Sequence, residues 1–147
     1  MSIENSSERS QALGEAVRFL RSKDRLEAEL LRALSSYPEG IVESVVTELK
    51  RRRYLDDARV IADHRDRRLV QGKGRIAIEE ELIRRGADPV DVANAMADTE
   101  PTELDRAESL ARSRQPIEPA RLGRWLSTRG FDDDVVEAVL NRIQGGA

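Results

Sequence analysis

Gly72-Lys73-Gly74 is the part of this sequence that most resembles a phosphate-binding loop. Such a loop requires Gly-x4-Gly-Lys followed by Ser or Thr, because backbone N–H groups surround the phosphate and the hydroxyl holds magnesium. Here Gly74 follows Lys73, and no glycine stands five positions before Gly72. We therefore expect a sharp turn between two helices, where glycine can adopt backbone conformations that strain other residues.

Residues suited to catalysis or metal binding are few. His64 is the only histidine, lies in a charged segment, and is accompanied by no cysteine in the whole chain. Without a serine nucleophile pattern or a second metal-ligating residue, the sequence predicts a solvated surface histidine, no metal and no cofactor. The adjacent carboxylates Asp56 and Asp57 point to different faces of a helix, which favours helix capping over general acid and base catalysis. These observations predict that the protein is not an enzyme.

One segment is basic within an acidic protein. From Lys50 to Arg85 there are twelve Lys and Arg against seven Asp and Glu, whereas the whole chain has a formal net charge of −3. Cations in the last turn of a helix complement its dipole, which explains part of this charge. The remaining charge indicates either a solvated face or a surface for an acidic partner or a nucleic-acid backbone. The candidate partner-binding residues are Lys50, Arg51, Arg52, Arg53, Arg65, Arg67, Arg68, Lys73, Arg75, Arg84 and Arg85.

Composition limits the fold and the location of the protein. The chain has 147 residues, of which 39% are hydrophobic, 36% are charged and only 3% are aromatic. Leu, Val, Ile and Ala must therefore form thin cores, which favours helices. No apolar run reaches the ~20 residues that cross a bilayer, and the lack of cysteine suits a reducing compartment. We expect a cytoplasmic protein that does not bind membranes.

The later part of the sequence contains an internal repeat. Glu81–Met96 aligns without a gap to Trp125–Leu140. In each copy a helix ends at a glycine, Gly86 or Gly130, and an aspartate two residues later is placed to cap the next helix. A fainter third copy lies at Ala28–Leu49, and the period of about 45 to 50 residues fits three helices per unit.

Apolar residues recur at helical spacing nearly everywhere, and no segment alternates apolar and polar residues as a half-buried strand would. The sequence therefore predicts an all-α fold of about nine helices, arranged as an elongated array of three tandem three-helix repeats. The predicted divisions are a disordered tail at 1–9, repeats at 10–53, 54–99 and 100–144, and a flexible C-terminus at 145–147.

Tyr54–Asp88 resembles the middle repeat of the RecX regulatory proteins. The pattern of that family is Leu-Asp-Asp-x-Arg, a charged helix, a Gly-rich turn, Arg-Ile, then Glu-Leu and a glycine after a few basic residues. Segments similar to the first and last repeats of the family stand at Ala16–Leu34 and Arg121–Leu140, in the same order. The residues that match the pattern, mainly with structural roles, are Leu55, Asp56, Asp57, Ala58, Arg59, Gly72, Gly74, Arg75, Ile76, Glu81, Leu82 and Gly86.

The resemblance implies a curved array of repeats that binds filaments of the RecA recombinase. It also implies that the protein restrains ATP hydrolysis, strand exchange and the coprotease activity of the SOS response, in DNA recombination and repair. No catalytic residue is carried over. We expect a monomer whose own binding to single- or double-stranded DNA is weak. The alternative is a helical nucleic-acid-binding protein without a recombinase partner, whose binding to naked DNA would fall steeply with salt.

Overall fold

The computed structural model describes residues 3–97, 99 and 101–145. Within these residues the chain forms nine α-helices and no β-strand, which confirms the predicted all-α fold. None of the described helices has the length and apolar character needed to cross a membrane. The helices are α1 (Ile3–Ser22), α2 (Glu27–Ala33), α3 (Glu39–Arg51), α4 (Asp57–Val70), α5 (Arg75–Arg85), α6 (Pro89–Ala97), α7 (Glu103–Ser113), α8 (Pro119–Thr128) and α9 (Asp133–Gly145).

The chain divides into two compact units. Unit 1 contains Met1–Ile61 and Arg84–Ala87, and unit 2 contains Ala62–Ile83 and Asp88–Ala147. One boundary falls inside α4 and another inside α5, so that each of these helices has residues in both units. The division into three repeats and the elongated, curved shape stay predictions.

The core of unit 1 forms where α1 packs against α2 and α3. The apolar residues of α3 recur at positions i, i+3, i+4 and i+7, which places them on one face of the helix. Alanines on α1 take up little space and let the helices approach closely. The buried residues of this core are Ala12, Ala16, Leu30, Leu34, Val42, Val45, Val46, Leu49 and Leu55.

The helix α1 includes most of the segment that the sequence predicts to be a disordered tail. Residues 3–9 are helical in the structure. Arg9 donates hydrogen bonds from Nε to Ser44 Oγ (2.8 Å) and from Nη2 to Glu48 Oε2 (3.2 Å) on α3. These two contacts hold the polar start of α1 against α3. Residues 1 and 2 of the predicted tail, and residues 146 and 147 of the predicted flexible C-terminus, lie outside the described residues.

The core of unit 2 includes the contacts of α7 and α8 with α9. Trp125 on α8 is partly buried against this core, and the guanidinium of Arg114 lies over its ring at 4.1 Å from the centroid. An arginine in that position is attracted to the face of the indole ring. The buried residues of this core are Ala107, Ala111, Leu122, Leu126, Phe131, Val136 and Val139.

Two glycine turns have the geometry that the internal repeat predicts. Gly86 has a φ of 102° and Gly130 a φ of 99°, both in the left-handed region that favours glycine. Asp88 Oδ1 then accepts hydrogen bonds from two backbone N–H groups at the start of α6, at 2.8 and 3.2 Å. Asp132 Oδ1 accepts one such bond at the start of α9, at 2.9 Å. In both places a glycine ends one helix and an aspartate caps the next.

The turn after α4 lies directly against the backbone of Gly130. The N–H of Gly74 donates a hydrogen bond to the carbonyl of Arg129 (2.8 Å), and the N–H of Ile76 donates one to the carbonyl of Gly130 (3.0 Å). A Cβ atom on Gly74 would collide with the carbonyl group of Gly130. The second glycine of Gly72-Lys73-Gly74 therefore permits a close contact between two backbone segments.

We predict that Gly74→Ala lowers the free energy of unfolding by about 1–3 kcal/mol, because the added methyl group meets backbone atoms that cannot rotate away. The matched control is Gly40→Ala in α3, where an added Cβ has no neighbour within 4 Å. That change should raise the free energy of unfolding by about 0.4–1 kcal/mol, because alanine loses less backbone entropy in a helix. Urea denaturation followed by circular dichroism measures both changes. Equal changes in the free energy of unfolding would contradict the role assigned to the close approach of Gly74 and Gly130.

Candidate partner-binding surface

The structure separates the basic residues proposed for partner binding into two classes. Most of them form ion pairs with carboxylates of their own chain, whereas the rest form none among the described residues. The paired residues are Lys50, Arg51, Arg52, Arg65, Arg68, Arg75 and Arg85. We call the remaining four, Arg53, Arg67, Lys73 and Arg84, the unpaired cations.

The paired residues at the end of α3 bind two carboxylates. Lys50 Nζ forms an ion pair with Glu27 at the start of α2. Arg51 and Arg52 both lie near Glu48 Oε1, at 3.8 and 3.2 Å. These side chains remain more than half exposed, so the pairs add little to stability. They nevertheless neutralise much of the charge at this end of α3.

Arg85, at the end of α5, is held by residues around the start of α2. Its Nη2 donates hydrogen bonds to Glu29 Oε1 (2.9 Å) and to the carbonyl of Asp24 (3.0 Å). Glu29 also accepts a hydrogen bond from the N–H of Leu26 at 2.8 Å. Burial by itself would raise the pKa of Glu29, but the hydrogen bonds from Arg85 and Leu26 outweigh it and lower the pKa. Arg85 is therefore a structural residue of unit 1.

The two adjacent carboxylates that follow Leu55 bind backbone N–H groups of two different helices. Asp56 Oδ1 accepts a hydrogen bond from the N–H of Arg59 in the first turn of α4 (3.2 Å). Asp57 Oδ1 accepts one from the N–H of Glu27 at the start of α2 (2.8 Å). The first N–H groups of a helix have no acceptor within the helix, so both carboxylates supply a missing partner. Both contacts are the helix-capping kind that the sequence favours.

Unit 2 contains the same arrangement with other residue types. Thr102 Oγ1 accepts a hydrogen bond from the N–H of Asp105 in the first turn of α7 (3.2 Å). Glu103 Oε1 accepts one from the N–H of Arg75 at the start of α5 (2.5 Å). The equivalence was not visible in the sequence because Thr-Glu stands where the other copy has Asp-Asp. In both units the first of two adjacent residues caps its own helix, and the second binds the N–H group at the start of another helix.

Arg75 lies among three carboxylates. Its guanidinium is 3.0 Å from Glu79, 3.5 Å from Glu103 and 3.1 Å from Asp132. Burial by itself would lower the pKa of Arg75, but the hydrogen bond that Arg75 donates to Glu79 and the charges of all three carboxylates raise it. The positive charge of Arg75 is therefore fully compensated within unit 2, which removes it from the set of groups that a partner could pair with.

Polar side chains on one face of α4 bind groups of α5 and α6. Arg68 Nε donates a hydrogen bond to Glu81 Oε1 (2.8 Å), and Arg65 Nη1 donates one to the carbonyl of Ala95 (2.8 Å). His64 lies four residues before Arg68 on the same face, with Nε2 at 3.6 Å from Glu81 Oε2. Its side chain is only 12% exposed, so the prediction of a solvated surface histidine is wrong. A histidine between two charged neighbours gives no sign in the sequence of which face it occupies.

Most remaining residues of the family pattern have contacts within unit 1 or unit 2. Leu55 and Leu82 are buried, with 4% and 0% of their surface exposed. Arg59 Nη1 lies 3.3 Å from Asp24 Oδ1. Gly72 has a φ of 81°, which the sharp turn after α4 requires. Ala58 is exposed on the first turn of α4.

The unpaired cations are distributed over both units. Arg53 and Arg84 belong to unit 1 and are exposed, and Arg53 has a φ of 62°. Arg67 and Lys73 belong to unit 2, where Arg67 is exposed and Lys73 is half-buried. Among the described residues, no group of three or more His, Cys, Asp and Glu side chains is arranged to hold a metal ion. Each unit therefore carries two of the four unpaired cations.

Arg129 is a second structural arginine that the charge pattern does not reveal. It donates hydrogen bonds from Nε to the carbonyl of Gly72 (3.2 Å) and from Nη2 to the carbonyl of Gln71. Its alignment with Arg85 in the internal repeat is the signal that could have identified it. Both arginines precede a glycine at a helix end, and both bind a carbonyl group close to the start of another helix.

The chain is similar to known proteins both in sequence and in structure. No family model matches the chain. The chain is 35% identical over 135 residues to the regulatory protein RecX of Leptothrix cholodnii. The aligned region covers 86% of this chain and 85% of that protein. It is also 35% identical over 108 residues to the regulatory protein RecX of Mycobacterium sp. strain JLS, and spans 59% of the length of that protein. The crystal structure of RecX from Lactobacillus salivarius has the same fold, with a TM-score of 0.81, 17% identity, and coverage of 95% of this chain and 98% of that chain.

The neighbours Arg84 and Arg85 provide a test of the two classes of cation. Arg85→Ala should lower the free energy of unfolding by about 1–3 kcal/mol, because Glu29 and the Asp24 carbonyl lose a charged donor. Arg84→Ala should change it by no more than about 0.5 kcal/mol, as is usual for an exposed residue whose side chain forms no ion pair or hydrogen bond among the described residues. Urea denaturation measures both. If the two substitutions cost the same, the division into paired and unpaired cations is wrong.

Proposed function

The chain belongs to the family of RecX regulatory proteins, and on this premise we propose that it binds filaments of the RecA recombinase and negatively modulates them. The modulated activities are ATP hydrolysis, strand exchange and coprotease activity, in DNA recombination and repair and in the SOS response. The observation that carries the proposal is the identity to a regulatory protein along 85% of its length. The proposed role is that of a cytoplasmic regulator and not of an enzyme.

We assign the contact with the filament to the unpaired cations. The seven other candidates are engaged by carboxylates of the same chain, and a partner would have to break those pairs before it could use them. An exposed guanidinium has no such cost and can bind a carboxylate or a phosphate through two parallel N–H groups. Arg67 and Arg84 are the exposed cations on regular helices, which makes them the first residues to test.

A filament offers the same surface on each of its subunits. If the three predicted repeats form an elongated array, one monomer could contact several neighbouring subunits. It would then bind the filament more tightly than through any single contact. Strong binding to naked DNA is not part of the proposal. The chain has a net charge of −3, and DNA phosphates repel a protein with an excess of carboxylates.

We predict that the protein inhibits ATP hydrolysis by the cognate RecA on single-stranded DNA. The assay titrates the protein from substoichiometric to equimolar ratios against preformed filaments. Inhibition at well below one protein per recombinase subunit is the expected result, because a regulator that acts on the filament affects many subunits at once. If filaments are present and an excess of protein has no effect, the proposed function is wrong, and binding to naked DNA across a salt series becomes the next measurement.

The same assay tests the surface through two double variants. Arg67→Glu with Arg84→Glu should raise the concentration for half-inhibition by about tenfold or more. The reason is that changing an interface side chain that contributes to binding loses at least about 1 kcal/mol of binding free energy. The matched control is Arg121→Glu with Arg124→Glu, two exposed cations of α8 that change the net charge equally. This control should inhibit as the unmodified protein does. Equal losses in both double variants would indicate a general effect of charge and would discard the assigned surface.

A further inference from the structure

A cavity of about 230 Å³ lies in unit 2, beside the first turn of α7. It is separate from the unpaired cations and has no role in the proposed surface. Two arginines and one carboxylate face it, together with small and polar groups from the end of α6 and the segment that follows. The residues that line it are Arg75, Met96, Ala97, Thr99, Thr102, Glu103 and Arg106.

Only one side of the Arg106 guanidinium forms hydrogen bonds with described residues. Its Nη1 donates hydrogen bonds to Thr99 Oγ1 (3.3 Å) and to the carbonyl of Pro101. Its Nε and Nη2 atoms are buried, and neither has a hydrogen-bond acceptor within the described part of the chain. The N–H bonds of Nε and Nη2 point in the same direction, and this side of a guanidinium binds both oxygens of a carboxylate. Burying two such donors without an acceptor costs stability, so the site lacks a partner.

The charges around the cavity do not balance. Glu103 is the one carboxylate among the described lining residues, and it is already bound to Arg75 through the backbone N–H (2.5 Å) and through Nε (3.5 Å). Burial lowers the pKa of Arg106, and the negative charge of Glu103 offsets this only in part. Arg75 has two further carboxylates, Glu79 and Asp132, whereas Arg106 has no ion pair among the described residues.

We propose that the Nε and Nη2 side of Arg106 is a binding site for a carboxylate, supplied by an acidic side chain of a partner protein. One negative charge and two oxygens satisfy both free donors. A phosphate dianion fits less well, because its second charge would be repelled by Glu103. The partner is the RecA filament if the proposed function holds, but the site itself does not depend on that function.

The chain contains two other carboxylates of the same chemistry close by in sequence. Asp98 and Glu100 flank Thr99. A site filled by one of them would not be open to a partner. The test therefore compares the unmodified protein with a variant in which both are neutralised, Asp98→Asn with Glu100→Gln.

The experiment is a titration of the ¹⁵N-labelled full chain with sodium acetate, followed by the NMR signal of the Arg106 Nε–H group. Sodium chloride at equal ionic strength is the reference, since acetate and chloride screen charges equally. We expect a saturable shift of the Nε–H signal with acetate alone. Arg106→Lys keeps the charge but loses the parallel N–H groups, and should weaken acetate binding by about ten- to a hundredfold, as judged from the backbone amides of Thr99 and Thr102. Arg112→Lys, an exposed position on the same helix, should leave it unchanged.

Three results would overturn the proposal. The first is the absence of a saturable shift in both the unmodified protein and the Asp98 and Glu100 variant. The second is acetate binding in that variant alone, because the chain would then fill the site with its own carboxylate. The third is inorganic phosphate binding at lower concentrations than acetate. No recombinase is present in the titration, so its outcome is separate from that of the ATP hydrolysis assay.

Discussion

The close approach of one backbone segment to another at an Arg-Gly pair is the contact on which both units depend. The pairs are residues 85–86 and 129–130, and each ends a helix. The arginine binds a carbonyl, that of Asp24 in unit 1 and that of Gly72 in unit 2. The glycine has a positive φ, and a Cβ atom in its place would collide with an alanine of an earlier helix. Any other residue at either glycine would be strained and would separate the two segments.

This arrangement determines which charges remain for a partner. Each unit binds the N–H groups at its helix starts with carboxylates, and arginines in turn bind several of these carboxylates. Removing one member of a partly buried pair, such as Arg85 with Glu29, costs more stability than removing one member of an exposed pair, because the other charge is left without its partner. A high count of basic residues in a segment is therefore a poor measure of its binding surface. Of the eleven basic residues proposed for partner binding, the contacts among the described residues leave only the four unpaired cations without an ion pair, and they also leave one side of Arg106 without an acceptor.

Local features of the fold could be predicted from the sequence, whereas the features that depend on distant residues could not. The helices, the glycine turns and the caps at Asp88 and Asp132 involve neighbours in the chain, so spacing and residue type are enough to identify them. The ion pairs of Arg75 with Asp132 and of Arg85 with Glu29 join residues 57 and 56 positions apart. The burial of His64 and of Arg106 likewise depends on which faces of the helices meet. The charge pattern alone therefore overstated the number of basic residues available to a partner.

A binding measurement can distinguish a regulator of RecA filaments from a protein that binds nucleic acid alone. The labelled protein would be titrated with RecA filaments preassembled on single-stranded DNA, and separately with the same DNA without RecA, at several salt concentrations. We expect the protein to bind the filament more tightly than the naked DNA at each salt concentration. Equal or tighter binding to naked DNA, falling steeply as salt is raised, would contradict it and would indicate a nucleic-acid-binding protein without a recombinase partner.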